Sequence, residues 1–258
     1  LDILANNDWK RPIYFSGGSF DKAEYIWMKD YLQLDGLVYK LVPIKTKNES
    51  AFEMGRIDTD LMYDIVKGWE WGNSGSPDIY HDTQTRIQGL SFRSNLARLT
   101  EALLSEGKIE KAKEIIDLAM ENIPVEHFGF YTFVEPFVDG YYKVGETNKA
   151  RAVFEKLKKI YRERLDYYAG IPLDEQYEKI EDIISDMEGY RRNIDILIAN
   201  DDREMAEKET ALFNDHIDQF SHFYRDSFME DEAQENTVQP DTSAPAEPDT
   251  TEATDSIE

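Results

Sequence analysis

The sequence predicts a mainly α protein of tetratricopeptide-like helical hairpin repeats, with a small N-terminal α/β unit and a disordered C-terminal tail. Three observations carry this reading. Gly107-Lys108-Ile109-Glu110-Lys111-Ala112 recurs as Gly145-Glu146-Thr147-Asn148-Lys149-Ala150, a shift of 38 residues. An apolar run of helical period precedes each glycine, and a second follows each Lys-Ala pair, which spells helix, tight turn and antiparallel helix. The composition then changes abruptly at Asp231: nine acids and no base follow, with no aromatic residue, so that stretch cannot bury enough surface to order itself.

The elements are justified in chain order. Asp2 to Asn7 has the character of a helix end, and Trp9-Lys10-Arg11-Pro12-Ile13-Tyr14-Phe15 enters a short strand broken by Gly17 and Gly18. Ala23 to Leu32 carries helical spacing through Ala23, Ile26, Trp27 and Tyr31. Gly36 to Pro43 is a second strand with a proline stop. The result is a βαβ unit or a hairpin flanked by a helix. Its glycine pair has neither GxGxxG nor GxxxxGK[ST] spacing, so it carries no nucleotide signature. Ile44 to Gly55 is loop, and Asp58 N-caps a helix from Thr59 to Lys67. That cap outweighs a metal reading of Asp58, Asp60 and Asp64, which lack EF-hand spacing. Trp69, Trp71, Gly72 to Pro77 and Tyr80 form a connection pinned by its indoles against the repeats, with a carbohydrate platform as the alternative.

In the first repeat Leu96, Leu99, Leu103, Ala112, Ile116 and Ala119 take the packing positions, Gly107 the turn and Pro124 the closing proline, while Thr100 stands where a smaller residue is usual. In the second, Val134, Phe137, Tyr141, Gly145, Ala150 and Phe154 fit. Val138, Leu157 and Arg162 do not, and Ile160, Leu165 and Tyr168 extend its second helix beyond position 162. After Ile171-Pro172 two long helices are expected, Asp174 to Ala199 and Asp202 to Phe228. They make a degenerate capping hairpin with Tyr190, Ile194, Leu197 and Ala206 packed and Asp201 in place of the turn glycine. Asp215, Asp218, His222 and Asp226 share one face of the last helix, which reads as a solvated acidic face rather than a metal site. The domains are therefore 1–82, 83–170, 171–230 and 231–258.

The chain has 258 residues and a net charge of -24, with 41% hydrophobic and 12% aromatic residues. Such acidity repels phosphate backbones, so no nucleic acid partner is expected. There is no cysteine, hence no disulfide or thiolate site, and no apolar run reaches the ~20 residues a membrane helix needs. Leu1 stands where a start methionine would, without a signal segment, and a piece of a longer protein is expected. No GxSxG or HExxH occurs, and His81, His127, His216 and His222 fall in no signature. No catalytic, cofactor or metal residue is assigned. The concave-face positions of the first helices are Ser94, Ala97, Glu101, Leu104 and Ser105, then Thr132, Glu135, Asp139, Tyr142 and Lys143. Of these Glu101, Glu135, Asp139, Tyr142 and Lys143 are the expected groove. It should take a neutral or basic acceptor, with Arg93 and Arg98 nearby or paired to acids on their own helices.

Four stretches together resemble a known family: Asn7 to Phe15, Tyr31 to Pro43, Gly55-Arg56-Ile57-Asp58-Thr59 with Met62-Tyr63-Asp64, and Arg93-Ser94-Asn95-Leu96-Ala97-Arg98-Leu99. They are similar to the C-terminal soluble part of a bacterial family of polytopic membrane proteins of unknown function, grouped with GT-C type glycosyltransferases related to protein O-mannosyltransferases. The resemblance spans about residues 1–170. It implies that the chemistry resides in a membrane domain ahead of Leu1, using a lipid-linked sugar. This domain would then be a periplasmic accessory element that docks on the membrane domain or binds a protein or glycan acceptor, and would transfer no sugar alone. A free-standing repeat adaptor for a peptide or protein is the competing expectation. A soluble carbohydrate-active enzyme is a third.

Overall fold

The computed structural model describes residues 2–16, 26–46 and 54–223. Residues Leu1–Asn214 form one compact unit and Asp215–Glu258 another. The expected tail, the glycine pair Gly17-Gly18, the helix start at Ala23, and Asp226 with Phe228 all lie outside the described residues.

The N-terminal part is antiparallel. Helix α1 (Asp2–Asn7) leads into strand β1 (Tyr14–Ser16). A 3-10 helix, Ile26–Tyr31, runs directly into β2 (Leu32–Asp35), and β3 (Val38–Leu41) pairs with both strands in the order β1-β3-β2. Of the two arrangements expected it is the hairpin, and the expected strand Gly36–Pro43 is shortened because Gly36-Leu37 is the two-residue turn, with Asp35 opposite Val38. Gly36 has φ +69° there, and a Cβ would meet the Trp69 ring at 2.9 Å, so the turn needs glycine twice over. Leu32 ends no helix. All four β2 residues are buried, because β3 covers one edge and Arg56 the other through Leu34 N–H to Arg56 O and Arg56 N–H to Leu32 O, both 2.9 Å. A strand buried on both faces shows no alternation, which is why Leu32 reads as helix in sequence. Gln33 donates to Asp35 Oδ1 at 2.8 Å and accepts from the Arg56 guanidinium, so its burial leaves both amide ends satisfied.

Helix α2 (Thr59–Lys67) starts on Asp58, whose carboxylate accepts from Leu61 N–H at 3.2 Å, as capping requires. Trp69 and Trp71 are half-buried and pack on Phe92 at centroid distances of 5.3 and 5.6 Å, so the indoles pin the connection. Helices α3 (Thr83–Ser105) and α4 (Ile109–Asn122) form the first hairpin. A one-turn helix α5 (Val125–Phe128) precedes the second hairpin, α6 (Glu135–Lys143) and α7 (Thr147–Gly170). As the sequence predicts, α7 runs on past position 162, with Leu165 and Tyr168 buried. The expected helix Asp174–Ala199 is two, α8 (Leu173–Glu178) and α9 (Ile180–Ala199). Helix α10 spans Arg203–Gln219, residues 221–223 are helical again after a turn at Phe220, and the remainder of the expected span to Phe228 lies outside the described residues.

All three hairpins turn by one hydrogen-bonding scheme. Gly107 N–H bonds Leu104 O at 3.0 Å and Lys108 N–H bonds Leu103 O at 2.9 Å. Gly145 to Tyr142 (3.0 Å) and Glu146 to Tyr141 (2.8 Å) repeat it. The third turn does the same with Asp201 to Ile198 (3.2 Å) and Asp202 to Leu197 (2.9 Å). This is the Schellman pattern, and its left-handed residue is Gly107, Gly145 and finally Asp201 at φ 57°. Aspartate tolerates that conformation better than most side chains, which is how the degenerate repeat keeps its turn. Every packing residue named above for the three hairpins is buried. Thr100 is accommodated because its hydroxyl returns to Leu96 O at 2.9 Å while Gly140, on the next hairpin, leaves room for its methyl group and for Ile116.

Candidate functional site

The residues expected to form a groove are brought together, but against the third hairpin. Glu135 accepts from Arg192 Nε at 2.9 Å and from Tyr161 Oη at 2.9 Å. Asp139 accepts from Asn200 Nδ2 at 3.0 Å and pairs with Lys143 at 2.6 Å, and Tyr142 donates to Asp202 Oδ2 at 2.6 Å. Their partners Arg192, Asn200 and Asp202 belong to α9 or the turn after it, so three of the five named positions fasten one hairpin to the next, while Lys143 pairs with Asp139 on its own helix. Glu101 stands apart on α3, exposed. The sequence could not show this, because the third hairpin's register against the second is set by contacts 57 to 61 residues apart. Arg93 and Arg98 pair with no acid of their own helix. The buried Arg93 guanidinium donates to Ile123 O (2.8 Å), Gly129 O (2.6 Å) and Phe130 O (3.1 Å), closing the C-terminus of α4, and its burial lowers its pKa to about 10. Arg98 donates to Gly55 O at 2.8 Å, tying α3 to the sheet unit.

Six clusters of ionisable groups follow one plan, repeated across the helix contacts: a carboxylate that holds a tyrosine hydroxyl and a cation together. Asp186 receives Tyr131 and Arg164, Glu209 receives Tyr190 and Lys158, and Glu135 receives Tyr161 and Arg192. Asp117 receives Tyr141 and Lys149, Asp202 receives Tyr142 and Arg151, and Glu114 receives Tyr63 and Lys67. Burial and then the adjoining carboxylate push the hydroxyls of Tyr131, Tyr141, Tyr142, Tyr161 and Tyr190 far above the ordinary phenol range. The hydrogen bond to Glu114 pushes Tyr63 up to about 12. The Arg151 guanidinium holds Asp202 below the usual carboxylate range, and Lys108 with Lys111 hold Asp60 down to about 2. Structural ion-pair networks perturb pKa values as active sites do, and none of these groups is among the described residues lining the cleft between the sheet and α3.

A cleft lies between the sheet and the N-terminal half of α3. It encloses about 590 Å³, within the usual range for a small-ligand site, and is walled by Tyr39, Phe92 and Phe133. Ser16, Gln88, Ser91, Ser94 and Asn95 supply its polar atoms, with Leu37, Leu90 and Met54 completing the lining. Among the described residues no charged side chain lines it, in a chain of net charge -24. Gln88 and Ser91 are exposed on α3, whereas Asn95 is half-buried and already donates to Gly36 O at 2.8 Å. Of the predicted concave-face residues only Ser94 is here. The sequence signal for the rest is the run Gln88, Ser91, Ser94 and Asn95, which keeps one face of a long helix polar and uncharged at i, i+3, i+6 and i+7. Tyr39 and Phe133 join it from the sheet and from the 3-10 turn Tyr131–Phe133, which only folding brings near.

Among the described residues no helix is long and apolar enough to cross a membrane, and no three His, Asp or Glu side chains are grouped to hold a metal ion. No curated protein and no solved structure matches the chain. Residues 1–61 match the family described as TMEM260-associated domain 2, so the sheet unit, with one wall of the cleft, is similar to that domain.

Proposed function

We propose that this chain is an accessory domain of a membrane-embedded glycosyltransferase-like protein of GT-C type, and that it holds a neutral, hydroxyl-rich acceptor in the cleft between the sheet and α3. The observation that carries the reading is the lining: hydroxyls, amides and three aromatic rings, with no charge among the described lining residues, on a chain of net charge -24. Aromatic faces cover the apolar side of a sugar ring, while serine, glutamine and asparagine match hydroxyl groups without the desolvation cost of a charge. The similarity of residues 1–61 to a domain named for TMEM260, a name that marks membrane proteins, supports placing the domain at a membrane. In this reading it lies on the extracytoplasmic side, periplasmic in a bacterial cell, and sugar transfer occurs in the membrane domain of the same polypeptide. The adaptor reading is disfavoured because Glu135, Asp139 and Tyr142 are already committed to the third hairpin.

The test is titration of the chain, followed by amide chemical shifts, with a neutral mannose oligosaccharide, an uncharged Ser/Thr-rich peptide and an acidic peptide. Shifts at Ser91, Ser94 and Asn95 that saturate with the first or second ligand, and vanish in Tyr39→Ala, are expected. Saturable binding of the acidic peptide at these residues, or no shift with either neutral ligand, overturns the reading.

A further inference from the structure

The bulk acidity of the chain conceals a local exception. Residues 1–46 hold six acids and six bases, so the whole net charge of -24 falls on the rest of the chain. Within this neutral segment lies an apolar cup of about 460 Å³, lined chiefly by Leu4, Trp9, Met28, Tyr31, Leu41 and Pro43. Large apolar side chains stand exposed next to it: Ile3 at 75%, Trp9 at 56% and Ile44 at 48%. Exposed cations follow the lining residues within two positions each, namely Lys10 and Arg11 after Trp9, Lys29 after Met28 and Lys45 after Pro43. The exposed acids of the described part of this segment are Asp2 and Asp8.

Trp9 is held out by construction. Asp8 and Trp9 sit consecutively at φ 45° and 56°, a left-handed pair that non-glycine residues adopt only when the surroundings impose it. The imposing group is Asn7, whose side chain donates to Arg11 O at 2.7 Å and accepts from Arg11 N–H at 3.2 Å, while Lys10 N–H bonds Asn7 O at 2.8 Å. Asn7 also lines the cup, so one amide closes the turn and sets the indole at the rim. An exposed indole, aliphatic neighbours and a fringe of lysine and arginine are the components with which proteins seat themselves at a bilayer surface. The rings sit at headgroup depth, the apolar groups dip into the acyl boundary, and the cations meet anionic headgroups.

We propose that this face of the N-terminal unit docks on a lipid bilayer bearing anionic headgroups. The charge argument selects the bilayer: the neutral, cation-rimmed face is where approach to an anionic surface costs least, and the acidic remainder orients that face inward. The inference is independent of the acceptor cleft, and either can fail without the other.

The experiment is flotation of the full chain with vesicles of phosphatidylcholine and phosphatidylglycerol in equal parts, at low and at moderate salt. The expected result is retention on the vesicles that weakens with salt, is lost in Trp9→Ala and falls about fivefold for each of Lys10→Gln and Lys45→Gln. Phe133→Ala, which removes one aromatic wall of the acceptor cleft, should leave flotation unchanged. Thermal melts of Trp9→Ala should match the parent chain, since the indole is half exposed. An absence of flotation, or flotation indifferent to Trp9→Ala and to both lysine changes, overturns the proposal.

Discussion

The two seams between hairpins are built from different materials. Where α3 and α4 meet α6, the seam is mainly aliphatic: Leu96, Leu99, Leu103, Ile115 and Ile116 share one core cluster with Phe137, Gly140 is set against the tip of Ile116, and the tie of Tyr141 and Lys149 to Asp117 lies at the margin. Where the second hairpin meets the third, it is aromatic and ionic. Tyr131, Tyr161, Tyr190 and Phe213 form a chain of rings 5.0, 6.0 and 5.4 Å apart, and Glu135, Asp186 and Glu209 bond the three hydroxyls. Both seams exclude water, but they differ in tolerance. Branched aliphatic tips give way to a small intrusion, whereas a ring held by its hydroxyl to a buried carboxylate has nowhere to move. The repeat nearest the sheet is therefore the adaptable one, and the capping repeat is locked in register.

Breaking one ionic tie tests this contrast most severely. In Lys158→Met the carboxylate of Glu209, which is fully buried, loses the ammonium 3.2 Å away and keeps the Tyr190 hydroxyl. A buried charge stripped of its counterion costs about 3 to 5 kcal/mol, and we expect that loss in urea unfolding. A second change, Glu209→Leu, should recover much of it. A Lys158→Met chain within about 1 kcal/mol of the parent would mean that the seam is aromatic packing alone.

Alkaline titration loads the same seam by another route. The folded pKa values of Tyr161 and Tyr190 lie above the unfolded value of about 10, since burial and the facing carboxylates oppose the phenolate. The unfolded chain thus binds fewer protons than the folded one above that pH. The stability these hydroxyls contribute is whole below pH ~10 and is lost as pH rises toward their folded values. Each should steepen the decline by about 1.4 kcal/mol per pH unit above pH ~10, and the double variant Tyr161→Phe with Tyr190→Phe should flatten it. An identical slope in that variant would show that the tyrosines do not govern alkaline stability.

The smallest effect compares two helical glycines across the seams. A methyl group at Gly189 would stand 2.5 Å from Tyr161 Oη and 2.7 Å from its ring, while one at Gly140 would meet Ile116 Cδ1 at 2.9 Å. Gly189→Ala should cost about 1 to 3 kcal/mol by overpacking. Gly140→Ala should come out within about 1 kcal/mol of the parent, because isoleucine can turn aside and alanine regains helix propensity. Equal costs, read from melting temperatures, would erase the distinction between the seams.

Sequence alone determined what depends on local chemistry. The turns at Gly107 and Gly145 and the degenerate one at Asp201 were legible because a left-handed residue after an apolar helical run has few other uses. The packing faces were legible because the period of a helix is fixed by its backbone. The Asp58 cap and the pinned indoles belong to the same class. Tertiary structure decided whatever depends on register between distant elements. Leu32–Asp35 became a strand because β3 and Arg56 cover its edges, and Glu135, Asp139 and Tyr142 became ties because the third hairpin lands on them. Arg93 turned to backbone carbonyls because α5 brings Gly129 and Phe130 within its reach. The uncharged cleft and the cation-rimmed cup were likewise present in sequence only as scattered residues. Their meaning comes from being assembled on one surface, and that assembly is fixed by long-range packing rather than by any spacing along the chain.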